Sequence, residues 1–246
     1  MIAIIGTTPD DILYFKTKMI IAREDKLTEN IIAYVGKFAK SDCVVVACGR
    51  TNVVSSAITT MIIDKYDPYL IYNVGLVTSV ASNAKQGDIF VTERVYLGNF
   101  NVYPFGKIKY YNIPEVPEFF FTPETLINAV SSIATEITSK YLIRGNIYSS
   151  DTFFIDKGEI MSILNKYFID GNNVFAFDCE SAGVYLACYL RNVSVISIKA
   201  ISNEISNKDQ LVSFVRKGLE VMPTIGKIIT AMALSKSEFS SNGIKR

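Results

Sequence analysis

The 246-residue chain contains no histidine. Without an imidazole no Ser–His or Cys–His nucleophile pair can form, and a histidine-ligated zinc or haem is excluded. Cysteine is scarce. Cys43, Cys48, Cys179 and Cys188 form no CxxC pair and read as reduced, mostly buried thiols of a cytoplasmic protein. An excess of charge of one sign is lacking too. The formal net charge is +1 with no basic run, which argues against nucleic acid or an anionic membrane as the main partner. No apolar stretch approaches the roughly twenty residues that span a bilayer. MIAIIG at the start has neither a charged region nor a small-residue cleavage site, so no signal peptide is expected. If the protein is an enzyme, proton transfer falls to Asp, Glu, Lys, Tyr or water. That suits chemistry run by carboxylates and oriented hydrogen bonds, with no cofactor.

What the chain does have is apolar surface, 49% of its residues, enough to bury the core of one α/β domain. There are no repeats and no interior linker, so residues 1–234 are expected to form that single domain and 235–246 a polar tail. Met1 to Gly6 reads as a buried strand. Thr8, Pro9 and the acids Asp10 and Asp11 open a helix expected to reach about Arg23, because a hydroxyl cap, an early proline and acids in the first turn favour a helix start. Asp10 and Asp11 could do no more than satisfy that start. Two strands, 30–36 and 42–48, follow as a hairpin, and CGRTN leads into a helix to Tyr66. Arg50 at that junction could hold an anion or be a surface cation. Tyr69 to Val74 is expected to be a strand closed by Gly75, with a loop over 76–86 and a strand within 87–98. The aromatic and proline-rich segment 99–121 reads as an excursion forming a dimer interface or a pocket rim. A helix (123–140), a strand (142–148), a short helix (158–167) and, near the end, a long helix (208–234) holding Pro223 complete the outline.

The stretch 174–203, VFAFDCESAGVYLACYLRNVSVISIKAISN, concentrates the polar chemistry. An apolar strand runs into Asp178, Cys179 and Glu180; a helix of small residues follows, then a strand ending in Lys199, Ser202 and Asn203. The length is that of a right-handed parallel crossover. Carboxyl ends of strands are where open α/β sheets place ligands. Asp178 and Glu180 could instead simply cap the helix.

In order along the chain, MIAIIG with its acidic pair, CGRTNV, IYNVG then GDIFV, PFG, SSDTFF, FDCESAGVY and IKAISN resemble the nucleoside phosphorylase and nucleosidase superfamily, and within it the methylthioadenosine/S-adenosylhomocysteine nucleosidases. The resemblance runs from Met1 to about Leu234. It implies a three-layer αβα sandwich around a mixed, partly barrel-like central sheet, a homodimer, and cleavage of a ribosyl–purine N-glycosidic bond through an oxocarbenium-like transition state. Residue by residue it implies that Glu180 binds the ribose hydroxyls, with Cys179 beneath the sugar. Phe153 would stack on the purine, the Phe154 backbone would meet the base edge, and Phe105 would reach into the neighbouring subunit's pocket. Asp11 would activate water, Lys199 would orient Asp11, and Asn203 would face the leaving base.

The chain also departs from the pattern. Asn203 replaces an aspartate that protonates the base, and losing a general acid costs about 10²–10⁴-fold. Asp11 is a methylene shorter than the usual glutamate, Leu76 after Gly75 replaces a serine, and Arg50 replaces an apolar residue beside the 5′ substituent. Three readings stay open: a nucleosidase for 5′-modified adenosines with an altered catalytic set; a phosphorylase favouring 6-oxopurine nucleosides, with phosphate on Arg50 and Lys199; and a nucleoside-binding, storage-type homologue.

Overall fold

The computed structural model describes residues 1–81, 83–98, 116–140, 142–168, 174–205 and 210–235, with backbone alone at 167, 203, 204 and 210–219. Its elements in chain order begin with β1 (Ile2–Gly6), α1 (Pro9–Lys18), β2 (Ile20–Lys26), β3 (Ile32–Phe38), β4 (Ser41–Ala47) and α2 (Asn52–Tyr66). β5 (Leu70–Ser79), β6 (Ile89–Leu97), β7 (Phe120–Phe121), α3 (Glu124–Ile137), β8 (Leu142–Ser149) and α4 (Lys157–Tyr167) follow. β9 (Val174–Asp178), α5 (Ser181–Arg191), β10 (Ser194–Glu204) and α6 (Gln210–Leu234) end the series, with Pro223 inside α6.

β1 shows why the sheet lies in the middle. Its five residues are all buried, as happens when helices cover both faces of a parallel sheet. Ile2 and Ile4 join a core with Ile12 and Phe15 of α1, Val130 of α3 and Ile228 of α6. Ala3 and Ile5 join a second core with Ile58 and Ile62 of α2 and Val184 and Tyr185 of α5. Alternation along a strand thus feeds two opposite cores, giving three layers. A third, smaller core joins Ile160 and Leu164 of α4 to Tyr148, Phe154 and Phe177.

The sheet runs β10-β6-β8-β9-β5-β1-β4-β3-β2, with β7 on β6 and a further pairing between β10 and β5. That last pairing joins β5, β10, β6, β8 and β9 into a closed ring, while β1, β4, β3 and β2 extend from it as an open wing. This is the expected mixed, partly barrel-like sheet.

Three expectations need correction. The first helix stops at Lys18, and residues 20–26 are an edge strand paired antiparallel with β3. Met19 leaves the helix with extended backbone, and β2 keeps most of its side chains in water, so it carries no alternating apolar pattern to announce it. β5 does not close at Gly75 but continues to Ser79, where a loop was expected. Gly75 has φ +147° and is absorbed into the strand. β9 and β10 do not form a parallel crossover: β5 pairs antiparallel with β9 and parallel with β10.

Candidate active site

The reversed direction of β9 is what assembles the polar residues. With Phe177 opposite Thr78 and Ala176 opposite Ser79, the chain leaving β9 runs back along β5 towards Gly75. Gly75 is the register partner of Lys199, deep inside β10 rather than at its end. The Asp178–Glu180 turn therefore lands beside a lysine that is completely buried.

Lys199 Nζ lies 2.8 Å from Glu180 Oε1 and 3.5 Å from Asp178 Oδ2. Asp178 also caps α5: its Oδ1 accepts the Ser181 N–H at 3.2 Å and its Oδ2 accepts the Ser181 hydroxyl. The capping alternative thus holds for Asp178. Glu180 stands at the N-cap position of α5 without capping it through its side chain; its carboxylate turns to Lys199, with Oε2 accepting the Cys179 N–H at 3.2 Å. Ser181 is steadied in turn by Asn73, whose Nδ2 donates to the hydroxyls of Ser181 (3.0 Å) and Ser197 (2.9 Å).

Asp11 arrives from the other side of β1. It is buried in the first turn of α1, where Oδ2 accepts both the Thr8 N–H (2.7 Å) and the Thr8 hydroxyl (2.9 Å). Gly75 is the meeting point. A Cβ added there would lie 3.4 Å from Thr7 Oγ1, 3.6 Å from Asp11 Cγ and 3.6 Å from Lys199 Nζ. These are ordinary contact distances; what favours glycine here is its φ of +147°, which side chains rarely adopt.

Three carboxylates thus surround one ammonium in a dry place. Burial pushes Glu180 above the ordinary carboxylate value; Lys199 pulls it back in part and Asp178 pushes it up further. Burial likewise raises Asp11, against the Thr8 hydrogen bonds and the more distant Lys199. For Lys199 itself burial would favour loss of the proton, but Glu180, Asp178 and Asp11 together reverse this and hold it above its usual range. The arrangement provides carboxyl oxygens that, when ionised, accept hydrogen bonds from sugar hydroxyls or from a water molecule. Among the described residues no three Cys, Asp or Glu side chains form a group able to hold a metal ion.

The remaining expected residues divide. Phe153 is 39% exposed, and its ring sits 6.1 Å from that of Phe177, the neighbour of Asp178. Phe154 is buried against Phe177 and Tyr148. Cys179 is half-buried, its thiol pushed up to about 12, mainly by burial and then by Glu180 and Asp178. Leu76 packs against the core shared by α1, α3 and α6. Arg50 is exposed in a turn between Gly49 (φ +85°) and Thr51 (φ +79°). Ser202 donates to the Val77 carbonyl at 3.0 Å and so binds β10 to β5. Asn203 is in β10 opposite Thr78, but its side chain lies outside the described residues, as does all of Phe105. Lys199 departs from expectation: its hydrogen bond goes to Glu180, and Asp11 is held by Thr8 instead.

Two further residues escaped the sequence reading. Asn52, the first residue of α2, accepts through Oδ1 from the Ser149 hydroxyl and the Gly183 N–H, both at 2.9 Å. Asp151 accepts the Asn52 backbone N–H at 2.5 Å. Both stand inside motifs already singled out, CGRTN and SSDTFF, but only the folded chain shows that they join the starts of α2 and α5 beside Glu180.

The sequence profile of the phosphorylase superfamily matches residues 1–233. The 5′-methylthioadenosine/S-adenosylhomocysteine nucleosidase of Buchnera aphidicola subsp. Acyrthosiphon pisum is 33% identical over 174 residues, 71% of this chain and 72% of its own. The enzyme of that name from Anoxybacillus flavithermus is 26% identical over 213 residues, 87% and 89% of the two chains. A crystal structure of the Neisseria meningitidis nucleosidase of the same name, in complex with methylthio-immucillin-A, superposes with a TM-score of 0.86 at 21% identity, covering 95% of this chain and 98% of that one.

Proposed function

The chain belongs to the phosphorylase superfamily, and on that premise we propose that it is a nucleosidase hydrolysing the N-glycosidic bond of 5′-modified adenosines, as its relatives' names describe for them. The observation that carries this reading is the convergence of Glu180 and Asp178 on buried Lys199, which meets Asp11 at Gly75, with the half-exposed ring of Phe153 against Phe177, one residue before Asp178. In it Glu180 accepts the ribose hydroxyls, and that interaction strengthens as positive charge develops on the sugar. Phe153 carries the purine on its face, with the Phe154 backbone at the base edge. Asp11 orients and deprotonates the attacking water. Asn203 offers the leaving base an amide in place of an acid, so departure leans more on stabilisation of the sugar cation than on protonation.

Water, rather than phosphate, suits the charge balance. A phosphate dianion needs several free cationic donors. Of the two cations near the cluster, Lys199 is already bound to two carboxylates, which leaves Arg50 alone, and buried Asp11 would repel a second anion.

The same reading takes residues 1–234 as one domain, acting in the cytoplasm as a homodimer. Large side chains left exposed on or beside α2 and α5, Val53, Met61, Phe121, Tyr189 and Leu190, are the surface that a second copy would cover. Among the described residues no helix is long and apolar enough to cross a membrane.

The test is product analysis with methylthioadenosine, inosine and guanosine, each with and without phosphate. Free adenine released from methylthioadenosine at a rate independent of phosphate is the expected result. Phosphate-dependent release of hypoxanthine or guanine would replace hydrolysis by phosphorolysis, and no release of any base would remove the enzymatic reading.

A further inference from the structure

Charge is left over beside the cluster, at the joined starts of α2 and α5. Asn52 fixes the two helices through Ser149 and Gly183, and Ser55 adds a hydrogen bond from its hydroxyl to the Glu180 carbonyl at 2.9 Å. On this frame Asp151 is held by the Asn52 N–H. Arg50 stands two residues before Asn52, exposed, with no salt bridge or hydrogen bond among the described residues. A carboxylate is therefore held at this helix start, and an exposed guanidinium stands two residues before Asn52 in the chain with no ion pair to Asp151 among the described residues. Cys179, the neighbour of Glu180, feels both: Asp151 raises its pKa and Arg50 lowers it.

A cavity of about 390 Å³ opens at the same place, lined among others by Asn52, Val53, Leu97, Asp151, Gly183 and Leu186. Asn52 Nδ2 is buried with no hydrogen-bond partner among the described residues. Most of these walls are apolar and suit a thioether chain. The unpaired charges and the spare amide suit a chain whose end is polar.

Geometry then relates this cavity to the sugar. In a nucleoside the base and the 5′ substituent leave the ribose ring on opposite sides of the ring oxygen. A ribose held by Glu180 with its base on Phe153 turns its 5′ end away from that ring, and Cys179, next to Glu180, has both Asp151 and Arg50 as electrostatic neighbours. We propose that Arg50 and Asp151 form a subsite for an amino-acid tail, Arg50 taking the carboxylate and Asp151 the ammonium. The enzyme would thereby select a nucleoside with a zwitterionic 5′ tail over one with a neutral thioether. This rests on the nucleosidase reading and deepens it. A guanidinium presents parallel donors that fit a carboxylate in two-point fashion. Because Arg50 has no partner among the described residues to give up, the contact with a ligand is gained without breaking one of theirs.

The test compares kcat/KM for S-adenosylhomocysteine, for methylthioadenosine and for a 5′-carboxyalkylthio-adenosine that lacks the amine. It is run on the full chain and on Arg50→Met and Asp151→Asn. Methionine keeps an apolar stem at an exposed position. Asparagine keeps an oxygen for the Asn52 N–H while removing the charge. The unaltered protein is expected to favour S-adenosylhomocysteine over methylthioadenosine. Arg50→Met should lower that preference about tenfold, the worth of one charge-assisted hydrogen bond. Asp151→Asn should erase the advantage of the homocysteine tail over its amine-free analogue. A preference moved by Arg50→Met alone would overturn the ammonium half of the proposal; a preference moved by neither overturns all of it. If the unaltered protein cleaves none of the three, the nucleosidase reading fails separately. The same comparison is then read from calorimetric Kd values for the intact nucleosides, and equal values across the three compounds overturn the subsite.

Discussion

Replacing Lys199 by methionine would keep most of the side chain's volume and remove its charge from a position with no solvent exposure. At the observed 2.8 Å from Glu180, with an effective dielectric constant near 20, the lost attraction is about 6 kcal/mol. Relaxation and the remaining Cys179 N–H recover part of it, and removal of one partner from a buried pair typically costs about 3–5 kcal/mol. The lower figure, about 3 kcal/mol, can be taken in two ways. Either the protein loses that stability, lowering Tm by about 6–12 °C for a chain of this size, or Glu180 keeps a proton and its pKa climbs by about two. The division between them depends on pH. In the variant, Glu180 would have a folded-state pKa far above its unfolded value, so the folded form is favoured while the group is protonated and loses that advantage as pH rises through the folded pKa. The deficit in Tm relative to the unaltered protein should therefore be small at pH 5 and large at pH 8, and the acid limb of the kcat/KM profile should move to higher pH. Lys199→Arg separates charge from size: it should restore the acid limb while costing about 1–3 kcal/mol from overpacking. A methionine variant whose Tm deficit is the same at both pH values, with an unmoved acid limb, would refute the assignment of Lys199 as the partner that keeps Glu180 ionised.

Other outcomes follow from the same cluster. Glu180→Gln, nearly isosteric, should lower kcat/KM by about 10²-fold, through loss of charged hydrogen bonds to the sugar, as measured by adenine release. Asn203→Asp should raise the rate on adenosine substrates by about 10²-fold or more by supplying a general acid; an unchanged or lower rate removes position 203 from leaving-group chemistry. Gly75→Ala would force a side chain into φ +147° between Thr7, Asp11 and Lys199, and is expected to cost about 1–3 kcal/mol in thermal or denaturant unfolding along with most of the activity. In the unaltered protein Asp11 and Glu180 both have raised pKa values and both must be ionised to act. Activity should therefore rise with pH through a value above the ordinary carboxylate range near 4, which a kcat/KM profile would show.

Local rules made much of this readable in advance. Thr8, Pro9 and the acids after them mark the start of α1, and the apolar runs at 2–5 and 43–46 mark strands covered on both faces. β2 was hidden because an exposed edge strand bearing Arg23, Glu24, Asp25 and Lys26 buries too little to show a period of two. Gly75 reads as a strand end to any rule that treats glycine as punctuation; here it takes up a φ of +147° inside a strand that continues to Ser79. The direction of β9 relative to β10 is set by their separate pairings to β5, which no feature of the local sequence encodes. The partner of Lys199 follows from that direction. Glu180 and Asp11 could be singled out from their motifs, but the pairing of Lys199 with Glu180 and Asp178 could not.

Lys199 has a second role through its backbone. It is registered with Gly75 of β5 on one side and with Phe90 of β6 on the other, so it lies on the seam where the ring of strands shuts. Pairing of β10 with both neighbours closes the cylinder, and the same pairing holds the cation beside Glu180 and Asp178. A partly opened cylinder, however much helix it kept, would have no working centre, and turnover would vanish ahead of bulk secondary structure as denaturant is raised.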